Sequence, residues 1–551
     1  MTNRFDTHEV TNQAAVLEGH DAYSTNRALT EAVARHGGDH ASDELVDLGW
    51  LAGSTLAQRW AREANENKPE LHTHDRFGHR LDVVEYHPSY HELMGAAVAN
   101  GIHAVPWVDP RPAAHVVRAA KMMTWYGLEA GHCCPISMTT SVLPALRNQP
   151  EVAESLEPLL TSRTYDPTNT PIEHKAGITA GMAMTEKQGG SDVRANTTTA
   201  RPIGKGGPGG DYELTGHKWF CSAPMSDGFL VLAQAPGGLS CFWTQRWRPD
   251  GTRNPIRIQR LKDKLGDRSN ASSEIELADV WAVMVGEEGR GVATIIEMVN
   301  STRLDCTLGS AAIMRQGVAL ATWHTHRRRA FGDVLDEQPL MANVLADLCI
   351  ESEAATMLAM RLAATFDRIG DTHEDHLRRI LLPVAKYWTC KRAPAHAAEA
   401  LECLGGLGYV EDSDMPRLYR QSPVNGVWEG SGNVICLDAL RAMVRAPESV
   451  EALMVELDLA AGVNPALDNA IARVRKELGD PEDIESRARS VVESMAVAVQ
   501  GSLLVRNGPP EVADAFCATR LGDHASAVFG TLPTGIATKA IIDRNRPTVD
   551  A

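Results

Sequence analysis

The spacing of apolar residues changes twice along this chain, and that change limits its fold more than any other feature. Residues 1–180 and 289–445 carry apolar residues three and four positions apart, as amphipathic helices do, and residues 340–369 sustain that spacing. Between them, residues 181–288 show short alternating or wholly apolar runs separated by Gly and Pro clusters. Because a period of two does not suit a helix, the pattern predicts a β domain between two mainly helical domains.

A further helical region follows the second helical domain. Residues 446–551 contain three stretches with helical spacing, at 449–460, 466–478 and 484–504. A chain of 551 residues, 43% of them hydrophobic, is long enough for several packed units. We therefore expect four domains, at residues 1–180, 181–288, 289–445 and 446–551.

The first domain is expected to consist of helices behind a polar arm. Amphipathic spacing over residues 43–64, 90–99 and 113–130 predicts three helices. Residues 11–26 are polar and weakly periodic, which is more typical of an arm laid over a neighbour than of a core element.

Composition excludes several classes of protein. A formal charge of −17 argues against a dominant phosphate-binding surface, although a local one stays open. No stretch approaches the roughly 18 uninterrupted apolar residues of a membrane helix, and residues 1–18 lack a signal-like run. Ten cysteines without CxxC spacing predict reduced, mostly buried thiols. His132, Cys133 and Cys134 are adjacent but lack a distant second pair, so we expect a cytoplasmic protein with neither membrane nor metal.

One carboxylate is singled out in residues 417–441, where Glu429 lies between Trp428 and a turn of small residues. Apolar residues then recur at helical spacing, at Val434, Leu437, Leu440 and Val444. The predicted helix has Ser431 or Asn433 available as its cap, which places Glu429 at a helix N-terminus. The helix dipole favours its ionised form there, whereas Trp428 would desolvate it. The sequence thus predicts either a base poised for use or an ordinary first-turn glutamate.

Five stretches resemble the acyl-CoA dehydrogenase family, in the order that the family has them. They are MTEKQGGSDV at 184–193, GHKWFCSA at 216–223, RRAFGDVLDEQPLMANVLADL with ECLGGLGYVED at 328–348 and 402–412, and YRQSPVNGVWEGSGNV at 419–434. The TEKQGGSDV and WEGSGN runs and the long C-terminal region are most similar to the AidB-like, alkylation-response branch. The resemblance implies a mainly α, α+β fold with an N-terminal helical domain, a central β-barrel or sandwich, a four-helix bundle and an extra helical domain.

The resemblance also implies an FAD site. Gly190 and Ser191 match the loop that contacts the flavin pyrophosphate, although the same run could be a plain tight turn. Ser222 matches the hydroxyl beside flavin N5, although alone it could be a strand serine. The remaining positions that match flavin contacts within one subunit are Met182, Met184, Thr185, Phe220, Cys221, Trp428, Ser431 and Asn433.

A second group matches residues that meet the cofactor of a neighbouring subunit, which implies a homotetramer built as a dimer of dimers. They are Arg328, Phe331, Glu402, Gly405 and Gly406. The basic run that contains Arg328 could instead be a solvated helix end. The run that contains Gly405 follows a predicted helix rather than a strand, so it is not a dinucleotide-binding loop.

For function, the resemblance implies α,β-dehydrogenation of an acyl-CoA or related thioester. Glu429 would be the base, since Thr302 occupies the position where some family members carry theirs. Trp428, Arg303 and Arg441 would lie near the substrate, although Arg441 could equally form a surface salt bridge. Electrons would pass to an electron-transfer flavoprotein or to oxygen.

The alternative is a flavoprotein that binds DNA and protects it from alkylation, as the extension of the AidB-like branch suggests. Residues 445–551 hold 11 Lys and Arg against 16 Asp and Glu, a balance of −5 that weakens this reading. Two small basic clusters, Arg473 with Arg475 and Lys476, and Arg487 with Arg489, could be solvated helix faces.

Overall fold

The computed structural model describes residues 7–522 and 526–549. The N-terminal region is helical with one small hairpin. Its elements are α1 (Arg27–Arg35), α2 (Ser42–Ala52), α3 (Thr55–Glu66), β1 (Glu70–His74), β2 (Arg80–Glu85), α4 (Pro88–Ala99), α5 (Val105–Val108), α6 (Ala114–Leu128), α7 (Cys133–Leu146) and α8 (Pro150–Leu160). The single helix predicted over 43–64 is therefore two, because Ser54 accepts the Ala57 amide and caps a new helix. The β1–β2 hairpin was not predicted.

The polar arm lies over this chain's own bundle. Leu17 is buried against Ala319 and Trp323, and the Trp323 indole donates to the Ala15 carbonyl at 2.7 Å. The arm was expected to lie over a neighbour. In the structure, part of the arm instead packs on α9 (Gly291–Thr325) of the same chain.

The middle region is the predicted β unit. Its strands are β3 (Ala180–Ala183), β4 (Thr199–Pro202), β5 (Asp211–Ser222), β6 (Gly228–Ala235), β7 (Gly238–Gln245), β8 (Ile256–Leu261) and β9 (Ser272–Val285). Pairing runs β4–β5–β9–β7–β6 and returns to β4, so five strands close into a barrel. Strand β3 adds in parallel to β6, and β8 adds antiparallel to β9.

Long helices follow α9, which itself packs against α10 and α11. The elements are β10 (Arg329–Ala330), β11 (Asp333–Val334), α10 (Pro339–Phe366), α11 (Thr372–Glu402), α12 (Gly406–Tyr409), α13 (Met415–Gln421) and α14 (Gly432–Arg445). On α14 the buried side chains are Ile435, Cys436, Ala439 and Ala442. Of the residues predicted to form the apolar face, Val434, Leu437 and Leu440 are half-buried and Val444 is 82% exposed, so the buried face falls on other positions.

The C-terminal region adds helices that dock on the bundle. They are α15 (Glu448–Asp458), α16 (Pro465–Leu478), α17 (Ile484–Asn507), α18 (Pro510–Phe516), which continues into a π-helical turn at Cys517–Leu521, and α19 (Thr538–Asn545). The three predicted stretches are confirmed as α15, α16 and α17. Helix α17 is long and apolar enough to cross a membrane. However, 72% of its apolar stretch is buried inside the protein, as in the core helix of a globular domain.

The cysteines and the His132 cluster have ordinary structural roles. All ten cysteines are free and buried, as predicted. His132 Nδ1 lies 2.7 Å from Glu129 Oε2, and the Cys133 thiol faces the Glu129 carbonyl. Within residues 7–522 and 526–549, no group of three or more His, Cys, Asp or Glu side chains has the arrangement of a metal site.

Candidate active site

Glu429 lies in a strained turn that connects the 3-10 helix Val424–Gly426 to α14. Its φ is +57°, a left-handed conformation that is uncommon for residues other than glycine. The next residue, Gly430, has a φ of +108°, and a Cβ there would lie 3.0 Å from Ile435 Cδ1. A turn of this shape persists only where its surroundings hold it.

Two buried cations hold that turn by its carbonyl groups. Lys386 Nζ on α11 donates to the Trp428 carbonyl at 2.7 Å and to the Gly430 carbonyl at 2.5 Å. Arg303 Nε on α9 donates to the Glu429 carbonyl at 3.0 Å. Both side chains are buried, Lys386 to 1% exposure. Three successive carbonyls therefore accept from two charged donors, and charge-assisted bonds of this kind are the stronger ones. We call this arrangement the base clamp.

The Glu429 carboxylate is left short of donors. Its Oε2 atom is buried and has no hydrogen-bond partner among the described residues. Burial raises the pKa of this carboxyl, and the Thr302 hydroxyl and the charges of Arg303 and Lys386 offset only part of that effect. A raised pKa makes the ionised form a stronger proton acceptor.

The local setting of Glu429 differs from the prediction in one respect. Helix α14 begins only at Gly432, with Ser431 at the cap position, so Glu429 precedes the first turn. The Ser431 side chain makes no capping hydrogen bond. Charges from α9 and α11 act on the Glu429 pKa, in place of the donors of its own helix.

An apolar wall faces the base turn. Trp428 packs in one cluster with the half-buried Met182 and Met184 and the buried Cys134 and Met138. Cys134 is near enough to Glu429 that the carboxylate contributes to raising the thiol's pKa, after burial and the Asp267 charge. The structure thus brings the residues predicted to face the flavin ring, which lie on and after β3, to the residue beside the predicted base.

A buried ion pair anchors the predicted pyrophosphate loop to β5. Glu186 accepts from Lys218 Nζ at 2.8 Å, from the Thr197 amide at 2.7 Å and from the Thr198 amide at 3.1 Å. Burial would raise the pKa of Glu186, but these donors outweigh it and hold the pKa well below the usual range. Both ionic side chains are fully buried.

Small residues are required at the tip of this loop. A Cβ on Gly190 would lie 2.4 Å from Thr185 Oγ1, so a larger residue would force the two apart. Gly190 and Ser191 are exposed, and their amides donate to no backbone carbonyl within the described ranges. Such an exposed turn with free amides suits an anionic oxygen.

The three predicted residues on β5 do not share one face. Phe220 is 49% exposed, with Lys262 Nζ 4.7 Å from its ring centroid. Ser222 Oγ is half-buried and lies 3.2 Å from Ser272 Oγ. The Cys221 side chain is buried in the core and its carbonyl accepts from Ser273 Oγ, as expected from the alternation of a strand.

The residues predicted to meet a neighbouring subunit lie on the surface, outside the cluster around Trp428. Phe331 is 97% exposed at the tip of the β10–β11 hairpin, with a φ of +53°. Arg328 donates to the Asn12 carbonyl of the arm. Glu402, Gly405 and Gly406 are exposed at the end of α11 and the start of α12.

Three other predicted residues are engaged elsewhere or open to solvent. Arg303 contacts the base turn and pairs with Asp438 Oδ2 at 2.8 Å, so it holds the turn. Asn433 Oδ1 accepts from Arg489 Nε of α17 at 2.9 Å. Arg441 is exposed and forms no salt bridge with the described residues.

Lys386, Glu186 and Lys218 were not singled out by sequence reasoning. Lys386 lies within the buried run Leu381–Tyr387 of α11, and a lysine on an otherwise apolar helix face was the available signal. Glu186 and Lys218 are separated by 31 residues, so only the barrel shows that they meet.

Three family profiles match the chain, in the same order as the helical, β and helical regions described above. Residues 12–167 match the profile of the adaptive response protein AidB N-terminal domain, residues 181–280 the acyl-CoA dehydrogenase middle domain, and residues 289–444 the acyl-CoA dehydrogenase C-terminal domain. AidB of Escherichia coli (strain K12) is 43% identical over 520 residues, which cover 94% of this chain and 95% of that protein.

The chain belongs to the AidB-like branch of the acyl-CoA dehydrogenase family. The predicted family, fold and class of FAD-dependent oxidoreductase are thereby confirmed.

Two solved structures share the whole architecture. ACDH-11 of Caenorhabditis elegans, in complex with C11-CoA, is 27% identical with a TM-score of 0.84, over 95% of this chain and 96% of that one. The structure of Bd2924 is 29% identical with a TM-score of 0.83, over 90% of this chain and 99% of that one. Because the two matches cover 90% and 95% of this chain, each extends into the added C-terminal helices.

Proposed function

We propose that this protein oxidises the α,β bond of an acyl-CoA thioester, with Glu429 as the base that removes the α proton. The observation that carries the proposal is the state of Glu429. Its buried Oε2 lacks a hydrogen-bond partner among the described residues, its pKa is raised, and its turn is fixed by the base clamp. A carboxylate that only stabilised the fold would be expected to have donors.

The residues present fit FAD. A half-buried wall of Met182, Met184 and Trp428 offers an apolar surface for an isoalloxazine ring. The exposed amides of Gly190 and Ser191 offer donors to a pyrophosphate. A side chain at Gly190 would collide with Thr185 and distort the loop that presents them. Ser222 Oγ, half-buried beside Ser272, is a hydroxyl donor of the kind that hydrogen-bonds a flavin ring.

The chain's own residues supply the proton chemistry and the orientation. When bound, FAD accepts the hydride that leaves the β carbon. Glu429 Oε2 takes the α proton and loses its negative charge. The base clamp holds the backbone of the turn in place while this happens. The backbone amides of Glu429 and Gly430 donate to no backbone carbonyl among the described residues. They are therefore free to donate to a thioester carbonyl, whose oxygen gains negative charge as the enolate forms. Trp428 and the two methionines exclude water.

An acyl-CoA substrate is supported by ACDH-11, which was crystallised with C11-CoA. We extend that ligand class, an acyl thioester of CoA, to this chain. The product is the trans-2-enoyl thioester. We propose that electrons leave the reduced cofactor to an electron-transfer flavoprotein or to oxygen, two acceptors that a reoxidation assay distinguishes.

We further propose the homotetramer. Large apolar side chains are open to solvent at the predicted contact Phe331, 97% exposed, and in the same two segments, 328–348 and 402–412, at Leu340 and Tyr409, 84% and 82% exposed. Such exposure is typical of an interface. Light scattering on the purified protein is expected to give about four times the 59.7 kDa chain mass.

The DNA-binding alternative receives less support from the charge distribution. In one basic cluster Arg475 pairs with Asp458, and in the other Arg487 contacts Asp480 and Glu482 while Arg489 contacts Asn433. Phosphate-binding side chains need to be free to reach their ligand. Arg473, Lys476 and Arg489 are exposed without a salt bridge to the described residues, and of these Arg489 already donates to Asn433.

The deciding experiment is anaerobic mixing of the purified yellow protein with a series of acyl-CoAs of increasing chain length. Loss of flavin absorbance with one chain class, abolished in Glu429→Gln, is the expected result. Glu485→Gln removes an exposed carboxylate on α17 and is the matched control, which should bleach as the wild type does. Full bleaching by Glu429→Gln would overturn the assignment of the base.

A further inference from the structure

A cavity of about 410 Å³ is lined by none of the residues assigned above. It forms where α1, α10 and α11 meet the added helices α15 and α17. Its charged and titratable lining comprises Arg35, Arg361, Arg368, Arg506, His36 and His373, together with Glu374 and Glu456. Cavities of this volume are in the range that holds small molecules.

The cations in this cavity outnumber the anions. Glu456 accepts from Arg361 at 2.9 Å and from Arg506 at 2.5 Å. Glu374 accepts from Arg361 at 2.8 Å and from Arg368 at 3.3 Å. Four guanidiniums thus face two carboxylates, which leaves an excess of two positive charges.

Two of the arginines carry that excess. The hydrogen bond that Arg35 makes in the described structure goes to the neutral Asn507 carbonyl, at 3.1 Å. Arg368 has one contact with a carboxylate that Arg361 already holds, and its side chain is 64% exposed. Both therefore have donors left for a ligand, and a guanidinium has five.

His36 reports the same excess of positive charge. Its pKa is lowered to about 4, first by burial and then by the charges of Arg361, Arg35 and Arg368. It is therefore neutral at pH 7 and adds a hydrogen-bonding group without adding charge.

One wall of the cavity is apolar. Met357 and Leu503 are buried behind it, while Val455 and Leu459 on the α15 side are 52% and 59% exposed. A ligand that fills the cavity would therefore meet both cations and aliphatic side chains.

We propose that this cavity binds a small organic phosphate, with the phosphate dianion between Arg35 and Arg368 and an apolar group along Val455 and Leu459. The dianion matches the excess of two positive charges, and the planar guanidinium fork matches phosphate oxygens. Because the cavity joins α15 and α17 to the bundle, the ligand stabilises the docking of the C-terminal helices.

Calorimetric titration of the FAD-loaded protein with hexyl phosphate, inorganic phosphate and hexanoate tests the proposal. We expect saturable binding of hexyl phosphate, binding of inorganic phosphate at least tenfold weaker because it lacks the apolar group, and the weakest binding for hexanoate because it carries one charge. The double variant R35Q/R368Q is expected to lose at least tenfold in affinity for hexyl phosphate. Neither side chain is in the base clamp, so bleaching by acyl-CoA is unchanged.

The matched control is R473Q/K476Q, which removes two exposed cations from α16 outside the cavity. It is expected to bind hexyl phosphate within twofold of wild type. A melting temperature that rises with hexyl phosphate in wild type and control, but not in R35Q/R368Q, gives an independent readout. Absence of saturable binding, equal binding by R35Q/R368Q, or preference for hexanoate would each overturn the proposal.

Discussion

Two glutamates in this protein are buried beside lysines and arginines, yet their environments are opposite. Glu186, under the predicted pyrophosphate loop, accepts from Lys218 and from two backbone amides, and its pKa is held low. Glu429 has cations close by, but their donors go to the backbone carbonyls of its turn, and its pKa is raised. A carboxylate given all its donors holds a loop, and one deprived of them is available to take a proton.

The largest effect that follows is on turnover. Glu429→Gln is expected to slow bleaching by acyl-CoA about a thousandfold, because an amide cannot accept the α proton. Stopped-flow absorbance under anaerobic conditions measures it. A loss of less than tenfold would mean that another group takes the proton.

The same comparison predicts opposite effects on stability. Glu186→Gln leaves Lys218 buried without its ionic partner, which costs about 3–5 kcal/mol of unfolding free energy. Glu429→Gln removes a carboxylate whose ionised form is disfavoured by burial, so the melting temperature should stay equal or rise slightly. Thermal unfolding of both variants at pH 8 measures the contrast. Equal destabilisation by both would contradict it.

Lys386→Met tests whether the base clamp positions Glu429. It frees the carbonyls of Trp428 and Gly430, and a misplacement of about 1 Å can cost on the order of a hundredfold in rate. It also removes a charge that lowers the Glu429 pKa, so the acidic limb of the rate profile moves to higher pH. Lys386→Arg should recover part of both. A slower enzyme with an unmoved limb would show that Lys386 acts on structure alone.

The pH dependence of stability separates the two carboxylates further. The folded pKa of Glu186 lies below the ordinary 4.5, so its contribution is complete above that pH and is lost as the pH falls. The raised pKa of Glu429 gives the opposite sign, because its ionisation costs stability as the pH rises. Urea unfolding between pH 5 and 3 should show a shallower dependence of the unfolding free energy on pH for Glu186→Gln than for wild type. An unchanged slope would count against the ion pair as its source.

The smallest effect is expected for Thr302→Val. The Thr302 hydroxyl is the first of the groups that lower the Glu429 pKa, so its removal should move the acidic limb to higher pH without lowering the maximal rate. Rates on the plateau above the acidic limb, measured for each protein, should agree within about twofold. A larger loss on that plateau would give Thr302 a part in positioning.

The motifs predicted which residues form the site, but not which hydrogen bonds and packing contacts those residues make. The resemblance of 184–193 and 419–434 to family motifs placed Met182, Met184 and Trp428 near a flavin, and the structure brings them into one cluster. It did not predict that Asn433 would be bonded to Arg489, because that arginine comes from the added C-terminal region. The buried face of α14 falls on residues other than the predicted ones, since the choice depends on the helices packed around it.

What the sequence determined by itself is local in origin. The change of apolar period predicted the succession of helices, β domain and helices, because the two-residue and 3.6-residue repeats follow from backbone geometry. The turn of small residues after Glu429 was readable from local sequence, whereas the break at Ser54 was not predicted.

Only the tertiary structure decided which groups are short of partners. Lys386 and Arg303 come from different helices to hold three carbonyls, and the excess charge between Arg35 and Arg368 arises where three regions of the chain meet. Hydrogen bonding and desolvation depend on distances through space, and those distances are set by packing rather than by position along the chain.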